Sequence, residues 1–458
     1  MIDPPEPLPS SFRDPHGFVF RSEGVLLRQV NVAHRADYDA MRETGLYDEL
    51  VNDGLLVSHQ EADLSRAARP GAYRVLEPEG VPFVSYPYEW SFSAFKDAAM
   101  TTLRAQDAAL RRGMSMRDAS SFNVQFKGSQ PVLIDTLSFE LLHEGRPWVA
   151  YRQFCEHFLA PLALMSMRDV RLGRALTAFL EGVPLDLASE LLPTRAKLRS
   201  GLQMHIAMHA RSQRRRSGDV GGTPRAFSRR AFEGLIASLM NAIEALPSPT
   251  RGSHWDHYYE EADHYVPEAA QRKDAVVGAW IRDAEPATLW DLGANTGRYA
   301  KMAATRTITV AFDQDPVVVE RMYVEGRERA DDPILPLVMD LTNPSPALGW
   351  AHAERMSLQQ RGPADLLLAL ALVHHLAIGG NVPLKRIVDL LAELGRSVIL
   401  EWIPIDDPKV VSMLRSRENI FDTYDEGSLL DEVGRRFVVR AREPLPSSGR
   451  VLFQLVRR

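Results

Sequence analysis

From about residue 287 to residue 401, strand-like apolar runs alternate with helix-like runs. Such alternation predicts a parallel sheet with helices on both faces. The five strand-like runs are Leu289–Asp291, Ile308–Asp313, Leu335–Asp340, Asp365–Leu372 and Ser397–Trp402. Two further apolar runs, Phe437–Arg442 and Val451–Val456, flank a turn that is rich in proline, serine and glycine. The pattern therefore predicts an α/β fold in which a doubly wound sheet ends in an antiparallel hairpin.

The length and composition of the chain exclude several classes of protein. With 458 residues, of which 45% are apolar and 25% charged, the chain has the composition of two to three ordinary globular domains. The longest uninterrupted apolar run, Leu366–Val373, is less than half of the roughly 20 residues that a bilayer span requires. The first residues lack the pattern of a signal peptide. We therefore expect no membrane span and no export.

The cysteine content and the net charge indicate which metal ions, partners and cellular compartment to expect. Cys155 is the only cysteine, so no internal disulfide can form, and no Cys/His group has the spacing of a zinc site. The net charge of −6 gives no general attraction for a phosphate backbone. We expect a cytoplasmic protein that holds no metal ion and has no nucleic-acid partner.

The first half of the sequence has a mixed pattern. Residues 1–16 carry five prolines and predict a mobile lead-in. Residues 17–200 predict an α+β domain, and residues 201–264 a helical connection to the last domain at 265–458. Within the connection, residues 211–230 carry seven arginines and a single acid. This segment is either a solvated, mobile loop or a contact for RNA, phosphate or a membrane.

Strands and helices can be placed within the α+β domain. Helices are predicted at 36–52 and 93–112. Strands are predicted at Phe18–Phe20, Val25–Val30, Tyr73–Leu76, Val81–Tyr86, Asn123–Phe126 and Val132–Asp135.

The sharpest motif is the glycine turn that follows the first strand of the C-terminal pattern. There, Leu289–Leu292 runs into Gly293-Ala-Asn-Thr-Gly297 and then into a helix-like segment. In an open α/β sheet, ligands bind at the carboxyl ends of the strands, and glycine lets a ligand approach the backbone closely. A dinucleotide site needs G-x-G-x-x-G, whereas this turn has asparagine and arginine in place of the second and third glycines. The turn thus predicts a small-molecule pocket that does not take a nicotinamide cofactor.

The segment Asp291-Leu-Gly293-Ala-Asn295-Thr-Gly297 resembles the first motif of class I S-adenosylmethionine-dependent methyltransferases, an acid followed by G-x-G-x-G. Asn295 stands at the middle glycine, and asparagine tolerates a positive φ better than most residues. The resemblance covers about residues 265–458, because the order of sites and the closing hairpin also match. It implies a Rossmann-like sheet of seven strands that binds S-adenosylmethionine through Asp291, Gly293, Asn295 and Gly297.

Two more acids stand where this resemblance puts cofactor contacts. Asp313 ends the second strand and is placed to accept both ribose hydroxyls. Asp340 ends the third strand, where the resemblance implies a contact with the adenine amino group. The alternative is that Asp340 only caps a helix.

Three residues are candidates for the acceptor side of the site. His374 and His375 follow the fourth strand. A neutral histidine can take a proton from a hydroxyl or an amine near working pH, so either could act as a base. The alternative is a pair of loop histidines without a catalytic role. Glu401, at the end of the fifth strand, is a further candidate.

Residues 116–135 resemble a second family. Asp118, Asn123 and Asp135 have the order and spacing of the catalytic loop and the metal-binding acid of protein-kinase-like folds. Three features of that family are absent. The glycine-rich loop is missing, and methionine replaces the histidine that precedes Arg-Asp118. The lysine that kinases carry on a strand to bind phosphate has no counterpart, unless Arg28 replaces it. The resemblance implies a degenerate kinase-like domain that binds substrate or positions a partner. The alternatives are that these residues only hold a turn together, or that the domain transfers phosphoryl groups.

Taken together, the two resemblances imply an enzyme, an S-adenosylmethionine-dependent methyltransferase preceded by a kinase-like domain. The expected acceptor is an oxygen or nitrogen of a small molecule or glycan, because no Asn-Pro-Pro-Tyr type sequence marks a nucleobase or amide-nitrogen acceptor. The alternatives are a non-catalytic S-adenosylmethionine-binding or adaptor protein and a bifunctional kinase and methyltransferase.

Overall fold

A computed structural model describes the protein at residues 6–197, 199–208, 227–249, 267–303, 307–329, 332–415 and 423–458. The described residues fall into two compact units. The first unit lies within Met1–Arg251 and Ala347–Arg355, and the second within Gly252–Pro346 and Met356–Arg458. Most of the predicted basic loop, at 211–226, lies outside the described residues. Among the helices that the structure describes, none is long and apolar enough to cross a membrane.

The first unit begins with a four-stranded antiparallel sheet in the order β1-β2-β4-β3. Its strands are β1 (Gly17–Ser22), β2 (Val25–Asn31), β3 (His59–Ala62) and β4 (Ala72–Pro78). Two helices, α1 (Arg35–Glu43) and α2 (Leu46–Asn52), lie between β2 and β3 in the chain. Phe18, Phe20, Leu27 and Val75 pack into a small core on this sheet. The predicted hairpin at Gly24 is confirmed, with β1 paired to β2.

The remainder of the first unit is mostly helical around the 20-residue helix α3 (Phe92–Arg111). Ser91 caps the start of α3 by accepting a hydrogen bond from the N–H of Ala94, and Gly113 follows its end with φ +73°. The predicted helix at 93–112 is therefore confirmed. The other elements are β5 (Met114–Met116), β6 (Val124–Lys127), β7 (Gln130–Leu133), β8 (Phe139–Leu141), α4 (Tyr151–Phe154), a π-helical turn (Cys155–Leu159), α5 (Ala160–Met167), α6 (Leu185–Leu191), α7 (Thr194–Lys197), α8 (Ser200–Leu202), a second π-helical turn (Gln203–Ala207) and α9 (Arg229–Glu244).

Three elements of the first unit differ from the sequence prediction. The predicted helix at 36–52 is broken into α1 and α2 by Gly45, which has φ +72°. No strand forms at 81–86, because the proline at position 82 has no N–H to give to a ladder. The side chain of Gln125 instead bonds both the N–H and the C=O of Ser85, each at 2.9 Å. The fourth strand of the sheet is β3, whose sequence His-Gln-Glu-Ala lacks the apolar alternation of a strand.

Residues 6–16 of the predicted mobile lead-in are hydrogen-bonded to the rest of the first unit. The N–H of Leu8 donates to the C=O of Val19 at 2.7 Å, and Arg117 Nη2 donates to Asp14 Oδ2 at 2.8 Å. The prolines lack N–H groups, but the N–H of Leu8 and the carboxylate of Asp14 remain available, so the segment attaches through its other residues. These contacts hold the lead-in against β1 and the segment after β5.

The second unit contains a seven-stranded mixed sheet in the order β11-β10-β9-β12-β13-β15-β14. Its strands are β9 (Thr288–Leu292), β10 (Ile308–Asp313), β11 (Ile334–Val338), β12 (Ala364–Ala369), β13 (Gly395–Trp402), β14 (Phe437–Pro444) and β15 (Val451–Arg457). The first five strands are parallel, and β15 runs antiparallel to both β13 and β14. The predicted α/β class, with a large mixed sheet, is confirmed.

Helices connect these strands and cover the sheet. They are α10 (Pro267–Ala284), α11 (Arg298–Ala303), α12 (Pro316–Arg327), α13 (Leu358–Arg361), a π-helical turn (His375–Gly379), α14 (Leu384–Leu394), α15 (Pro408–Leu414) and α16 (Glu426–Arg436). Apolar residues of α10 pack on β9, β12 and β13 in the larger core of this unit, with Val277, Leu289, Leu368 and Ile399 fully buried. This core fixes the carboxyl ends of the central strands relative to one another.

Candidate functional site

The strand order places a topological switch point in the second unit. From β9 the chain moves outward to β10 and β11, and then crosses to β12 on the other side of β9. The connections after β9 and β12 therefore lead away from each other, and in open α/β sheets such a switch point is where ligands bind. The glycine turn follows β9, and the histidine pair follows β12. The two segments are neighbours, because a Cβ atom on Gly293 would lie 3.5 Å from Cδ1 of Leu372.

The turn after β9 depends on three residues in the left-handed region. Gly293, Asn295 and Gly297 have φ values of +78°, +49° and +72°. A Cβ atom on Gly297 would lie 2.8 Å from Sδ of Met322, so space as well as conformation calls for glycine there. Asn295 accepts the same left-handed conformation as the glycines. Gly293 and Asn295 are exposed, so the turn presents backbone to its surroundings.

The carboxylate of Asp313 is directed at this turn. Its Oδ2 accepts the N–H of Asn295 at 2.8 Å, and its Oδ1 accepts the N–H of Asp315 at 2.9 Å. A carboxylate offers about four lone-pair sites, so two bonds leave capacity for further donors. Burial raises the pKa of Asp313 and the backbone N–H groups oppose that rise. The side chain is half-buried and lies at the carboxyl end of β10.

Asp291 is buried beneath the turn. Its side chain is 2% exposed, and its Oδ2 has no hydrogen-bond partner among the residues that the structure describes. Burial raises the pKa of Asp291 to about 7, with a smaller contribution from the charge of Asp313, while the N–H of Ala300 and the charge of Lys273 oppose the rise. An acid in this position has an unsatisfied oxygen and gains from a cation or a donor placed beside it.

Asp340 lies just past the end of β11 and is already engaged in a turn. Its Oδ1 accepts both the N–H of Thr342, at 2.8 Å, and the hydroxyl of Thr342, at 2.6 Å. The N–H of Met339 donates to the C=O of Asp313, which places the ends of β10 and β11 side by side. The geometry thus brings Asp340 to the same sheet edge as Asp313 and also explains it as a turn-forming residue.

The two histidines after β12 have different environments. His374 is 1% exposed, and neither of its ring nitrogens has a hydrogen-bond partner within the described ranges. Burial lowers the pKa of His374 to about 3, helped by His375 and Arg450. His375 is exposed, and the centres of the two rings are 4.2 Å apart. His374 is therefore neutral at any physiological pH and has two free polar atoms in a buried position.

Glu401 belongs to a buried ion cluster, formed with Lys273, Arg450 and Asp407. Lys273 Nζ donates to Glu401 Oε2 at 2.7 Å, and Arg450 Nη1 lies 3.7 Å from Glu401 Oε1. Arg450 Nε donates to Asp407 Oδ2 at 2.8 Å. All four side chains are buried. Because Glu401 is completely inaccessible and paired, this arrangement favours a positioning role and argues against the predicted acceptor-side role.

Sequence reasoning missed the other three members of the buried ion cluster. Lys273 lies one turn before Val276 and Val277 on the apolar face of α10, where a charged residue interrupts the hydrophobic stripe. That interruption was the available signal, since a charge in a buried stripe is rarely left without a partner. Asp407 caps the start of α15 and Arg450 directly precedes β15, and the bond between them joins residues 43 positions apart, which no local pattern indicates.

In the first unit, Ser138 joins Asn123 to Asp135, and Asp118 lies close enough to Asp135 to feel its charge. Asn123 Nδ2 donates to Ser138 Oγ at 3.2 Å, and Ser138 Oγ donates to Asp135 Oδ2 at 2.6 Å. Burial raises the pKa of Asp118, with the charge of Asp135 adding to the rise. Arg28 on β2 donates to Asp135 Oδ1. Within the described residues, no group of three or more His, Cys, Asp or Glu side chains is arranged to hold a metal ion.

Several solved structures are similar to part of this chain. Magnesium protoporphyrin IX methyltransferase (ChlM) from Synechocystis PCC 6803, with bound SAM, matches 42% of this chain and 80% of its own at 16% identity and a TM-score of 0.29. The bifunctional kinase-methyltransferase WbdD matches 41% and 39% at 18% identity and a TM-score of 0.30. The N-methyltransferase NodS from Bradyrhizobium japonicum WM9 matches 41% and 96% at 8% identity and a TM-score of 0.30. Scores at this level do not establish a common fold.

A sequence relative covers almost the whole chain. Nodulation protein NoeA from Rhizobium meliloti (strain 1021) is 34% identical over 459 aligned positions, which span 98% of this chain and 95% of NoeA. No family model matches the sequence. At this identity and coverage, the chain belongs to the family of nodulation protein NoeA.

Proposed function

We propose that the second unit is an S-adenosylmethionine-dependent methyltransferase. The observation that carries this proposal is the pairing of an exposed turn of left-handed residues, Gly293 to Gly297, with the Asp313 carboxylate directed at it. The turn follows the strand at which the sheet order reverses, where ligands of open α/β sheets bind. The resemblance of the Asp291–Gly297 segment to the first methyltransferase motif supports the choice of cofactor.

The residues around the turn fit the charge and shape of this cofactor. Asp291 Oδ2 has no partner among the described residues, so a cationic group of the cofactor would satisfy it. Asp313 has lone pairs for the two ribose hydroxyls in addition to its two backbone bonds. Gly293, Asn295 and Gly297 would hold the methionine end close to the backbone. Asp340 would reach the adenine amino group with the oxygen that does not form the Thr342 turn.

The chain's own contribution to the reaction is positioning. When bound, S-adenosylmethionine supplies a methyl group on a sulfonium that is already activated for transfer. The turn and Asp313 would hold that group in place, and alignment of reacting groups can lower such a barrier by roughly 7–11 kcal/mol. Neutral His374 would accept a proton from a hydroxyl or amine acceptor through its free ring nitrogen, as a weak base because burial lowers its pKa to about 3. His375 is the second candidate for this base.

The proposed acceptor is an oxygen or nitrogen of a small molecule or glycan. Two sequence features favour it: the net charge of −6, which does not attract a phosphate backbone, and the absence of the Asn-Pro-Pro-Tyr type sequence. Because the chain belongs to the family of nodulation protein NoeA, we propose that it has a role in nodulation. The cytoplasm remains the predicted location.

Isothermal calorimetry with S-adenosylmethionine and its demethylated product tests the cofactor site. We expect the wild type to bind both and Asp313→Ala to lose binding. The matched control is Asp365→Ala, which removes an acid from the other end of the sheet, where Asp365 accepts the N–H and hydroxyl of Thr288. Unchanged binding in Asp313→Ala, or no binding by the wild type, would contradict the proposal.

The main alternative is a protein that binds S-adenosylmethionine without turnover. Methyl transfer to screened small-molecule and glycan acceptors, lost in the His374→Ala/His375→Ala double variant, would favour the enzyme. Full methyl transfer by the double variant would exclude a histidine base. Cofactor binding by the wild type without transfer to any acceptor would favour an adaptor.

For the first unit we propose a degenerate kinase-like domain that binds substrate or positions a partner. The proximity of Asp118 and Asp135, and the hydroxyl of Ser138 that joins Asn123 to Asp135, support the kinase-like interpretation. ATP hydrolysis or substrate phosphorylation that disappears in Asp135→Ala would instead support a bifunctional enzyme.

A further inference from the structure

Both oxygens of Asp135 are occupied by donors from the first unit itself. Oδ1 accepts a hydrogen bond from Arg28 Nη1 and the N–H of Leu137, the latter at 3.2 Å. Oδ2 accepts the hydroxyl of Ser138 at 2.6 Å. The Arg28 and Asp135 side chains are only 13% and 15% exposed, so the ion pair is weakly screened by water. The acid that the kinase resemblance assigns to a metal ion therefore already has a cation beside it.

The amide of Asn123 is oriented for a cluster without a metal ion. Its nitrogen donates to Ser138 Oγ at 3.2 Å. Ser138 gives its hydroxyl hydrogen to Asp135, so towards Asn123 its oxygen can only accept, and the amide must present its nitrogen there. A magnesium ion takes oxygen ligands at about 2.0–2.1 Å in near-octahedral geometry, so it would need the opposite orientation of this amide.

The contacts of Asp118 also come from the protein. Gln153 Nε2 and the N–H of Ser120 donate to its Oδ1 at 2.8 and 3.0 Å. Burial alone would raise the pKa of Asp135, but the neighbouring charge of Arg28 and the hydroxyl of Ser138 hold it below its ordinary value. Arg28 and neutral donors thus stabilise the carboxyl groups of Asp118 and Asp135. A divalent ion that bound between the two acids would lie close to the guanidinium of Arg28 and be repelled by its positive charge.

We infer that Arg28 is a built-in counter-ion that takes the place of a divalent metal ion in the acidic cluster of the first unit. The residues present do not fit a magnesium site, and the unit would bind its ligand without a metal ion. This inference concerns only the first unit, and it stands whether or not the second unit transfers methyl groups. Arginine suits this role because its planar, permanently charged fork bonds a carboxylate directionally.

Titration with Mn²⁺, followed by electron paramagnetic resonance on the full chain, tests the inference. We expect Arg28→Met to bind Mn²⁺ at least roughly tenfold more tightly than the wild type, and the gain to disappear in Arg28→Met/Asp135→Asn. Arg28→Lys keeps the positive charge and should resemble the wild type. Arg74→Met is the matched control, because it removes an arginine from the neighbouring strand β4 that pairs with Glu61 at the surface. Equal Mn²⁺ binding by the wild type and Arg28→Met would overturn the inference.

A second comparison does not require Arg28→Met to fold. If Arg28 replaces the metal ion, Asp135→Asn should leave the Mn²⁺ binding of the wild-type chain unchanged. Loss of a bound Mn²⁺ in Asp135→Asn would show that the acid holds a metal in the presence of Arg28, and would overturn the inference. Calorimetry with S-adenosylmethionine on the same samples reports on the second unit separately, so failure of one proposal can be distinguished from failure of the other.

Discussion

Lys273 Nζ lies 2.7 Å from Glu401 Oε2, and the two side chains are only 4% and 0% exposed. The pair joins helix α10 to the carboxyl end of β13, the strand that pairs with β12. The side-chain nitrogen of Lys273 also lies 5.0 Å from the ring centre of Tyr299, just after the glycine turn. A buried pair of this kind fixes geometry more than it adds stability, because both charges were desolvated to form it.

Breaking this pair on one side should be costly. We predict that Lys273→Met lowers the free energy of unfolding by about 3–5 kcal/mol, since it removes the cation that bonds the buried Glu401 side chain at 2.7 Å. Lys273→Met/Glu401→Gln should recover part of the loss. Chemical denaturation measures both. Lys301→Met, which breaks a surface pair with Glu325, is the control and should cost no more than about 1 kcal/mol. A similar small loss in Lys273→Met would show that the buried pair does not form.

Replacing His374 should increase the stability of the protein and decrease its activity. Its buried ring has no hydrogen-bond partner for either nitrogen in the part of the chain that the structure describes, and each such group costs about 1–3 kcal/mol. We predict that His374→Met raises the free energy of unfolding by about 1–2 kcal/mol and lowers methyl transfer about 10²-fold or more. The exposed neighbour His375, changed to Met, should alter stability by less than about 0.5 kcal/mol. Destabilisation by His374→Met would indicate a partner for the ring.

Asp291 should make stability depend on pH. Burial raises the pKa of Asp291 to about 7, whereas an exposed aspartate titrates near about 4. Between these values the folded chain holds a proton that the unfolded chain has lost, so the free energy of unfolding falls as pH rises through this window. Asp291→Asn should remove that fall and be more stable than the wild type above pH 7, by about 1–3 kcal/mol. Denaturation between about pH 5 and pH 8 measures the difference, with Asp365→Asn as the control. Parallel curves for wild type and Asp291→Asn would contradict the prediction.

Asn295 should be replaceable by glycine and not by a β-branched residue. Its φ of +49° is in the left-handed region, which glycine enters freely and asparagine accepts. We predict that Asn295→Gly changes the free energy of unfolding by less than about 1 kcal/mol and keeps cofactor binding, whereas Asn295→Val costs about 1–3 kcal/mol and weakens it. Thermal unfolding and calorimetry measure the two variants side by side. Equal behaviour of the two would mean that the turn does not depend on this conformation.

Much of the second unit could be predicted because its signals are local. Apolar runs of strand length alternate with helical runs, and the parallel strands and closing hairpin follow from that periodicity. The first unit was harder. The edge strand at His59–Ala62 has no apolar alternation. The predicted helix at 36–52 has a continuous helical pattern, although the structure breaks this helix at Gly45. In both places backbone conformation and neighbouring strands, rather than side-chain pattern, decide the structure.

The sequence by itself determined which residues stand at the ends of β9, β10, β11 and β12, because strand length and turn residues are encoded over a few neighbouring positions. Only the tertiary structure decided what those residues face. Asp313 turns to Asn295, Glu401 is enclosed by Lys273 and Arg450, and Arg28 meets Asp135 across more than a hundred residues of chain. Ion pairs and burial depend on distances between segments far apart in sequence, and no local pattern of residues specifies those distances.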